Sequence, residues 1–221
     1  MTLPDPQAMA AEIHREIEAL PVRNSPSVRA LRREYSKTLK NASPAYIVAV
    51  AEYLAIAHDH RCFRYELVRH HRAAFDQLDL AQIEAMGQGI NSWSSVDCFG
   101  RILAGPAWLR GAIWDNDVHR WAHSEDRWWR RAALVSTVAW NMRSQGGPGD
   151  APRTLAVCRI VAADRDDMVY KALSWALREL VVHDPKAVRA FLAEHDAVLT
   201  ARVKREVRNK LETGLKNPRR S

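Results

Sequence analysis

The sequence predicts an all-α protein. Apolar residues recur at three- and four-residue intervals along almost the whole chain, which is the period of an amphipathic helix, and no sustained alternation of apolar and polar residues indicates strands. A capping side chain followed by proline marks several helix starts, because proline lacks an N–H that the first helical turn would leave unpaired. These pairs are Asp5-Pro6, Ser25-Pro26, Ser43-Pro44 and Asp184-Pro185.

The helical pattern divides into short segments joined by short links. We predict helices at 7–20, 26–40, 44–58, 61–75, 79–88, 93–104, 106–112, 115–123, 126–143, 151–164, 167–183, 185–195 and 199–213. Antiparallel helices of this length stack into a solenoid in which each pair buries its apolar side against the next, and a globular bundle is the alternative. No letter-by-letter repeat is present, so the solenoid prediction rests on the number and spacing of the helices.

The chain is long enough for one well-buried domain, and we predict a single helical domain over its 221 residues. Glycine and proline at 145–150 predict a loop, and the tail at 217–221 is expected to fray. No window of about 20 residues lacks charge, and the first residues do not resemble a secretory signal. The three cysteines form no Cys-x-x-Cys pair, which argues against a zinc ribbon. We therefore expect a cytoplasmic protein without membrane contact.

The charge balance favours an acidic partner. The formal net charge is +7 and the isoelectric point is about 9.6, and a basic surface concentrates phosphates near it. Most of the basic residues are arginine, which binds phosphate with a bidentate fork. Nucleic acid, the ribosome and acidic lipid all remain open as partners on net charge alone.

Trp93 and Asp97 are four residues apart, so on a helix that begins near Ser92 they share one face. An indole and a carboxylate would then point into the same space. The alternative is that Trp93 belongs to the core, and that Asp97 caps a helix or pairs with a nearby arginine.

The segment 126–131, Asp-Arg-Trp-Trp-Arg-Arg, opens a helix whose later residues form an apolar stripe. Two adjacent tryptophans cannot face the same way, so at least one indole and one guanidinium lie off the buried side. They lie near a helix start, where the backbone dipole attracts anions. Arg131 therefore either contacts a phosphate or covers a tryptophan core with its aliphatic stem.

Trp175 and Arg178 lie three apart on the predicted helix 167–183, and Lys171 extends the same polar face by one turn. Taken alone, an amphipathic helix explains all three residues. Taken with Trp93, Asp97 and Arg131, they supply two indoles, one carboxylate and two guanidiniums. Such a set fits a flat, cationic, phosphate-bearing ligand, for example an alkylated purine nucleotide in DNA.

Other candidate sites are weaker. His58, Cys62, Glu66 and His70 recur every four residues, but one straight helix would spread them over about 18 Å, so we expect neither a metal nor a cofactor. The sequence has no P-loop, dinucleotide glycine motif or nucleophile elbow. A basic run near the C-terminus is interpreted as a solvated helix face. Its members are Arg202, Lys204, Arg205, Arg208 and Lys210.

Three motifs stand in a specific order along the chain. They are Ser92-Trp93-x-Ser95-Val96-Asp97, Trp128-x-x-Arg131-Ala132-Ala133 and Lys171-Ala172-x-x-Trp175-x-Leu177-Arg178-Glu179. In these motifs the chain resembles the AlkD-type DNA alkylation-repair glycosylases. The resemblance covers most of the chain and is strongest over 91–179. It implies a curved solenoid of antiparallel HEAT-like helix pairs.

The resemblance also implies roles for individual residues. Asp97 matches the catalytic aspartate, Trp93 and Trp175 match the two tryptophans that face the nucleotide, and Arg131 matches the phosphate-binding arginine. Arg178 matches a further arginine that contacts the DNA backbone, and Lys171 of the same motif is expected to bind DNA. The first helix departs from the family, because Glu12-Ile13-His14 stands where the archetype has a DNA-facing tyrosine.

The implied function is a DNA glycosylase that releases cationic N3- and N7-alkylated purines from duplex DNA. The resemblance further implies that the lesion need not be flipped into a pocket. We expect a monomer that needs no cofactor. The alternative within the same fold is a non-catalytic HEAT-like protein that binds damaged or branched DNA. A helical-repeat scaffold for a protein partner is the alternative from a different class.

Overall fold

A computed structural model of the protein describes residues 3–143 and 147–218. These residues form helices and no strand, which confirms the all-α prediction. The helices group into two compact units, one extending to Gln88 and one beginning at Gly89. No helix in the described part is both long and apolar enough to cross a bilayer. The single domain over 1–221 and the curvature of the solenoid remain predictions.

The first unit is built from six helices. They are α1 (Pro6–Glu18), α2 (Ser25–Thr38), α3 (Pro44–Ile56), α4 (Arg61–His70), α5 (Arg72–Gln77) and α6 (Leu80–Gly87). The predicted proline starts are present, and the side chains of Asp5 and Ser43 each accept a backbone N–H from the first turn. At α2 the cap is Asn24, one residue earlier than predicted. Helix α3 packs against α1, α4 and α5 and so forms the centre of this unit.

The predicted helix at 61–75 is wrong as one element, because it divides at His71. The backbone of His71 leaves the helical region, with φ −94° and ψ 91°. Its Nδ1 accepts the backbone N–H of Ala74 at 3.1 Å and so caps the next helix, α5. Apolar periodicity does not detect this break, because the buried residues Val68 and Phe75 keep helical spacing across it.

The described residues of the second unit form eight further α-helices and one π-helix, π1. They are α7 (Trp93–Cys98), π1 (Phe99–Ala104), α8 (Gly105–Leu109), α9 (Asp115–Ala122), α10 (Arg127–Asn141), α11 (Ala151–Ile160), α12 (Asp167–Leu180), α13 (Pro185–Glu194) and α14 (Ala201–Thr213). Helix α10 packs against α12, and α12 packs against α14. This stacking of alternate helices is typical of helix-pair repeats.

Helix α10 is the core of the second unit. The sequence predicts a stripe of apolar residues on it, but every residue from 131 to 141 is buried. The helix is covered on all sides because α7, π1, α8, α9, α11 and α12 all pack against it. The loop predicted at 145–150 is non-helical over 147–150, and 144–146 lie outside the described residues, as do 219–221 of the predicted frayed tail.

The segment from Trp93 to Leu109 is one continuous helical path, and the predicted break before Pro106 is absent. In π1 the backbone widens, and the N–H of Gly105 bonds to the carbonyl of Gly100, five residues back. Pro106 has no N–H that could bond to a carbonyl of the preceding turn, and the locally widened helix accommodates it. The π-helix could not be predicted from the sequence, because its side-chain pattern differs little from that of an α-helix.

Gly105 allows π1 and α8 to lie directly against α10. A Cβ atom at this position would stand 2.5 Å from the backbone oxygen of Ser136 and 2.6 Å from the Cβ of Ala139. We expect Gly105→Ala to lower the free energy of unfolding by about 2 kcal/mol, because the backbones must separate to admit the methyl group. Urea unfolding measures this change.

Gly111→Ala is the control for that substitution. Gly111 has a φ of +80°, and a Cβ added there would have no atom within 4 Å. Alanine at this position therefore strains the backbone without overpacking. We expect a cost of about 1 kcal/mol. An equal or smaller cost at Gly105 would contradict the close approach of the helices.

Candidate active site

The first turn of α7 is fixed by a reciprocal cap. Ser92 Oγ accepts the N–H of Ser95 at 3.3 Å, and Ser95 Oγ accepts the N–H of Ser92 at the same distance. The cap starts the helix at Trp93 and sets Asp97 one turn later. Val96 between them is fully buried, whereas Trp93 is 60% exposed. Trp93 therefore does not belong to the core, but the other part of that alternative, the pairing of Asp97 with an arginine, is present, and the partner is Arg131.

Asp97 is held by Arg131 in a bidentate ion pair. Nε of Arg131 donates to Oδ1 of Asp97 at 2.8 Å, and one terminal nitrogen donates to Oδ2 at 2.9 Å. The other terminal nitrogen donates to the backbone oxygen of Met168. Arg131 is only 6% exposed. The guanidinium thus joins α7, α10 and the first turn of α12 at one point, and it fixes both oxygens of the carboxylate.

Burial governs the acidity of this carboxylate. The side chain of Asp97 is 18% exposed, and its burial raises the pKa of Asp97 above the usual aspartate range. The hydrogen bonds and charge of Arg131 act in the opposite direction, as does the charge of Arg101. The site therefore holds a carboxylate in weakly solvated surroundings, where its charge acts strongly on nearby groups.

Arg101 is a residue of this site that the sequence analysis missed. It lies one turn after Asp97, within π1, and its charge lowers the pKa of Asp97. Its Nε is buried and has no hydrogen-bond partner among the described residues. The four-residue spacing from Asp97 is the signal that could have identified it.

Trp175 lies on α12, half-buried, seven residues after the Met168 carbonyl that Arg131 contacts. Its indole N–H donates to Oε1 of Glu179 at 2.9 Å, which fixes the orientation of the ring. Seven residues of helix correspond to about 10 Å along the axis, so the indole stands two turns from the point where Arg131 meets α12.

Lys171 and Arg178, the predicted DNA-binding residues on α12, each donate a hydrogen bond within the second unit. Lys171 donates to Asp167, and this bond is the main cause of the lowered pKa of Asp167. Arg178 donates through Nε to Oγ of Ser174 at 3.3 Å, and burial lowers the pKa of Arg178. Each retains N–H groups that these contacts do not use.

The two adjacent tryptophans at the start of α10 face different ways, as the sequence predicts. Trp129 packs edge-on against Phe99, with ring centroids 5.7 Å apart, and lies 5.2 Å from the ring of Trp121. The guanidinium carbon of Arg127 lies over the indole of Trp128, 4.8 Å from the centroid of that ring. One indole thus packs on aromatic rings of π1 and α9, and the other lies beneath an exposed cation.

Two acidic side chains, the buried Glu206 and the exposed Asp196, compensate part of the basic run on α14. Arg202 donates to Glu206 at 2.8 Å, and Asp196 accepts from both Lys204 and Arg208. These pairs fit the interpretation of the run as a solvated helix face.

The fold and the site define a class of all-helical protein in which a guanidinium-held carboxylate stands one turn from an exposed indole. The chain belongs to the DNA alkylation repair enzyme family, whose model matches residues 5–211. The match includes every residue assigned to the site, and it confirms the resemblance drawn from the three motifs. No curated protein matches the chain. The protein therefore acts in the repair of alkylated DNA.

Proposed function

We propose that the protein is a DNA glycosylase that hydrolyses the N-glycosidic bond of cationic N3- and N7-alkylated purines in duplex DNA. The observation that carries this proposal is the Asp97 carboxylate, fixed through both oxygens by Arg131 in a chain of the DNA alkylation repair family. This reaction requires a carboxylate that is already fixed beside the sugar.

Alkylation at N3 or N7 gives the purine a positive charge and makes it a good leaving group. As the C1′–N bond breaks, its electron pair moves to the purine and positive charge develops on the sugar. A carboxylate already in position stabilises that charge without reorganising. Water then adds to C1′, and Asp97 can orient this water or accept its proton, as carboxylates do in glycoside hydrolysis.

Arg131 acts in this reaction as a positioning residue. Its bidentate contact holds the plane of the Asp97 carboxylate, and its contact with Met168 holds the guanidinium itself. The charge of Arg131 also opposes the rise in the pKa of Asp97. We retain a phosphate contact as a second role, because each terminal nitrogen carries one more N–H than these bonds use.

Trp93 and Trp175 are proposed to face the cationic nucleotide. An indole attracts a cation by about 0.5–2 kcal/mol, depending on how far both are desolvated. Trp93 is 60% exposed, so it offers an open face to a duplex. An open face favours recognition of the lesion within the stack, without a flipped base. Lys171 and Arg178 would contact phosphates of the backbone.

The substrate class is tested with duplexes that differ in one base. One carries a single N7-methylguanine, which is cationic, and the other carries hypoxanthine at the same position, which is neutral. We expect release of N7-methylguanine above its spontaneous rate and no release of hypoxanthine, because Asp97 needs a leaving group that already carries charge. Equal release of both bases would exclude the electrostatic mechanism.

The pH dependence follows from the state of Asp97. Burial raises its pKa, and only the carboxylate form stabilises the sugar cation. The single-turnover rate of excision should therefore fall as the pH drops through this raised pKa, at a higher pH than the ordinary aspartate value of about 3.9. Spontaneous depurination, measured at each pH, is subtracted. A rate that stays constant down to about pH 4 would contradict this assignment.

A further inference from the structure

We propose that His14, Glu18 and His60 form a binding site for one zinc ion in the first unit. The site is separate from the candidate active site, and none of its residues takes part in the proposed glycosylase reaction. One donor atom from each of the three side chains lies within 4.8 Å of the other two. No pattern along the sequence joins them, because His60 follows His14 by 46 residues.

The two imidazoles are already in contact. Nδ1 of His14 lies 2.9 Å from Nε2 of His60. Two ligands that each lie about 2.0 Å from a tetrahedral zinc ion are about 3.3 Å apart. The rings therefore need to separate by only a few tenths of an ångström for a zinc ion to replace their hydrogen bond.

Two independent features of the backbone position these ligands. His14 and Glu18 stand four apart on α1, so their side chains lie on one face of that helix. His60 is the N-cap residue of α4, and its N–H donates to the carbonyl of Leu54 at 2.9 Å. The preceding residue, Asp59, has a φ of 53°, which is a costly conformation for an aspartate. This turn directs the chain back so that His60 meets α1.

The donor set suits zinc better than magnesium or calcium. Two imidazoles and one carboxylate are typical zinc ligands, with a fourth position left for water, whereas the alkaline-earth ions prefer oxygen. Imidazole binds a metal only through an unprotonated nitrogen.

His58 supports the site as a neighbouring ring. It stacks on His14, with ring centroids 4.2 Å apart and planes 10° from parallel. This contact fixes the orientation of the His14 ring. The series that the sequence suggested, His58, Cys62, Glu66 and His70, is not this site, because both oxygens of Glu66 accept from arginines of α2.

Zinc binding to the untagged, chelator-treated full chain tests the proposal. We expect isothermal titration at neutral pH to give one zinc ion per chain and no binding of magnesium. Cobalt(II) should give the visible absorption of a tetrahedral or five-coordinate site with nitrogen ligands. His14→Ala, His60→Ala and Glu18→Gln should each weaken zinc binding by about tenfold or more.

His123→Ala serves as the matched control, because it removes an exposed histidine of the second unit. This variant should bind zinc as the wild type does. Glu18 is exposed, so Glu18→Gln should leave the circular dichroism unchanged and keep the test decisive if a histidine variant does not fold. Absence of stoichiometric zinc binding, or equal binding in the wild type and Glu18→Gln, would overturn the proposal.

Discussion

Asp97→Asn is expected to reduce the rate of base excision by a factor on the order of 100 or more. The amide keeps the shape of the side chain and one acceptor for Arg131, but it removes the charge that stabilises the sugar cation. The rate is measured under single-turnover conditions on a duplex with one N7-methylguanine, and DNA affinity is measured in parallel. We expect the affinity to change little, because Asp97 acts mainly on the transition state.

Asp196→Asn is the control for this substitution. Asp196 is an exposed carboxylate of the second unit that pairs with Lys204 and Arg208 and not with Arg131. Its variant should excise at the wild-type rate. Full activity of Asp97→Asn would show that the charge of Asp97 takes no part in excision.

Arg131→Ala is expected to lower the free energy of unfolding by about 3 kcal/mol. The substitution leaves the mostly buried Asp97 carboxylate without its partner, and breaking a buried ion pair on one side costs several kcal/mol. It also removes the donor to Met168 and the side-chain packing of α10. Urea unfolding gives the change in stability.

The matched control is Arg127→Ala, on the same helix. Arg127 is half exposed and makes one ion pair of 3.4 Å with Asp166, so its loss should cost less than about 1 kcal/mol. The double variant Asp97→Ala, Arg131→Ala should be more stable than the two single losses predict together, because no charge is left buried alone. Equal costs at Arg127 and Arg131 would contradict the buried pair.

The helices could be predicted well from the sequence, because their signals are local. Capping residues followed by proline and the spacing of apolar residues identify the start of α1 and α3 within one residue. The same reasoning placed Trp93 and Asp97 on one face of one helix, since four-residue spacing depends only on helical geometry. Resemblance to a family then assigned the chemistry of these residues.

Features that depend on tertiary contacts could not be predicted in this way. The pairing of Asp97 with Arg131 joins residues 34 apart, and the approach of His60 to His14 joins residues 46 apart. The π-helix after Asp97 lies directly against α10 at Gly100 and Gly105, a contact that no local pattern of residues indicates. The four-residue spacing of Arg101 from Asp97 is visible in the sequence, but the burial of its Nε, which distinguishes it from a surface arginine, is not.

The most direct test measures the base that the wild-type protein releases from a duplex containing one N7-methylguanine. We expect release well above the spontaneous background, and release close to that background with Asp97→Asn at equal DNA occupancy. No release by the wild type from fully bound DNA, with a parallel duplex containing N3-methyladenine also left intact, would contradict the glycosylase and leave a protein that binds damaged DNA without catalysis.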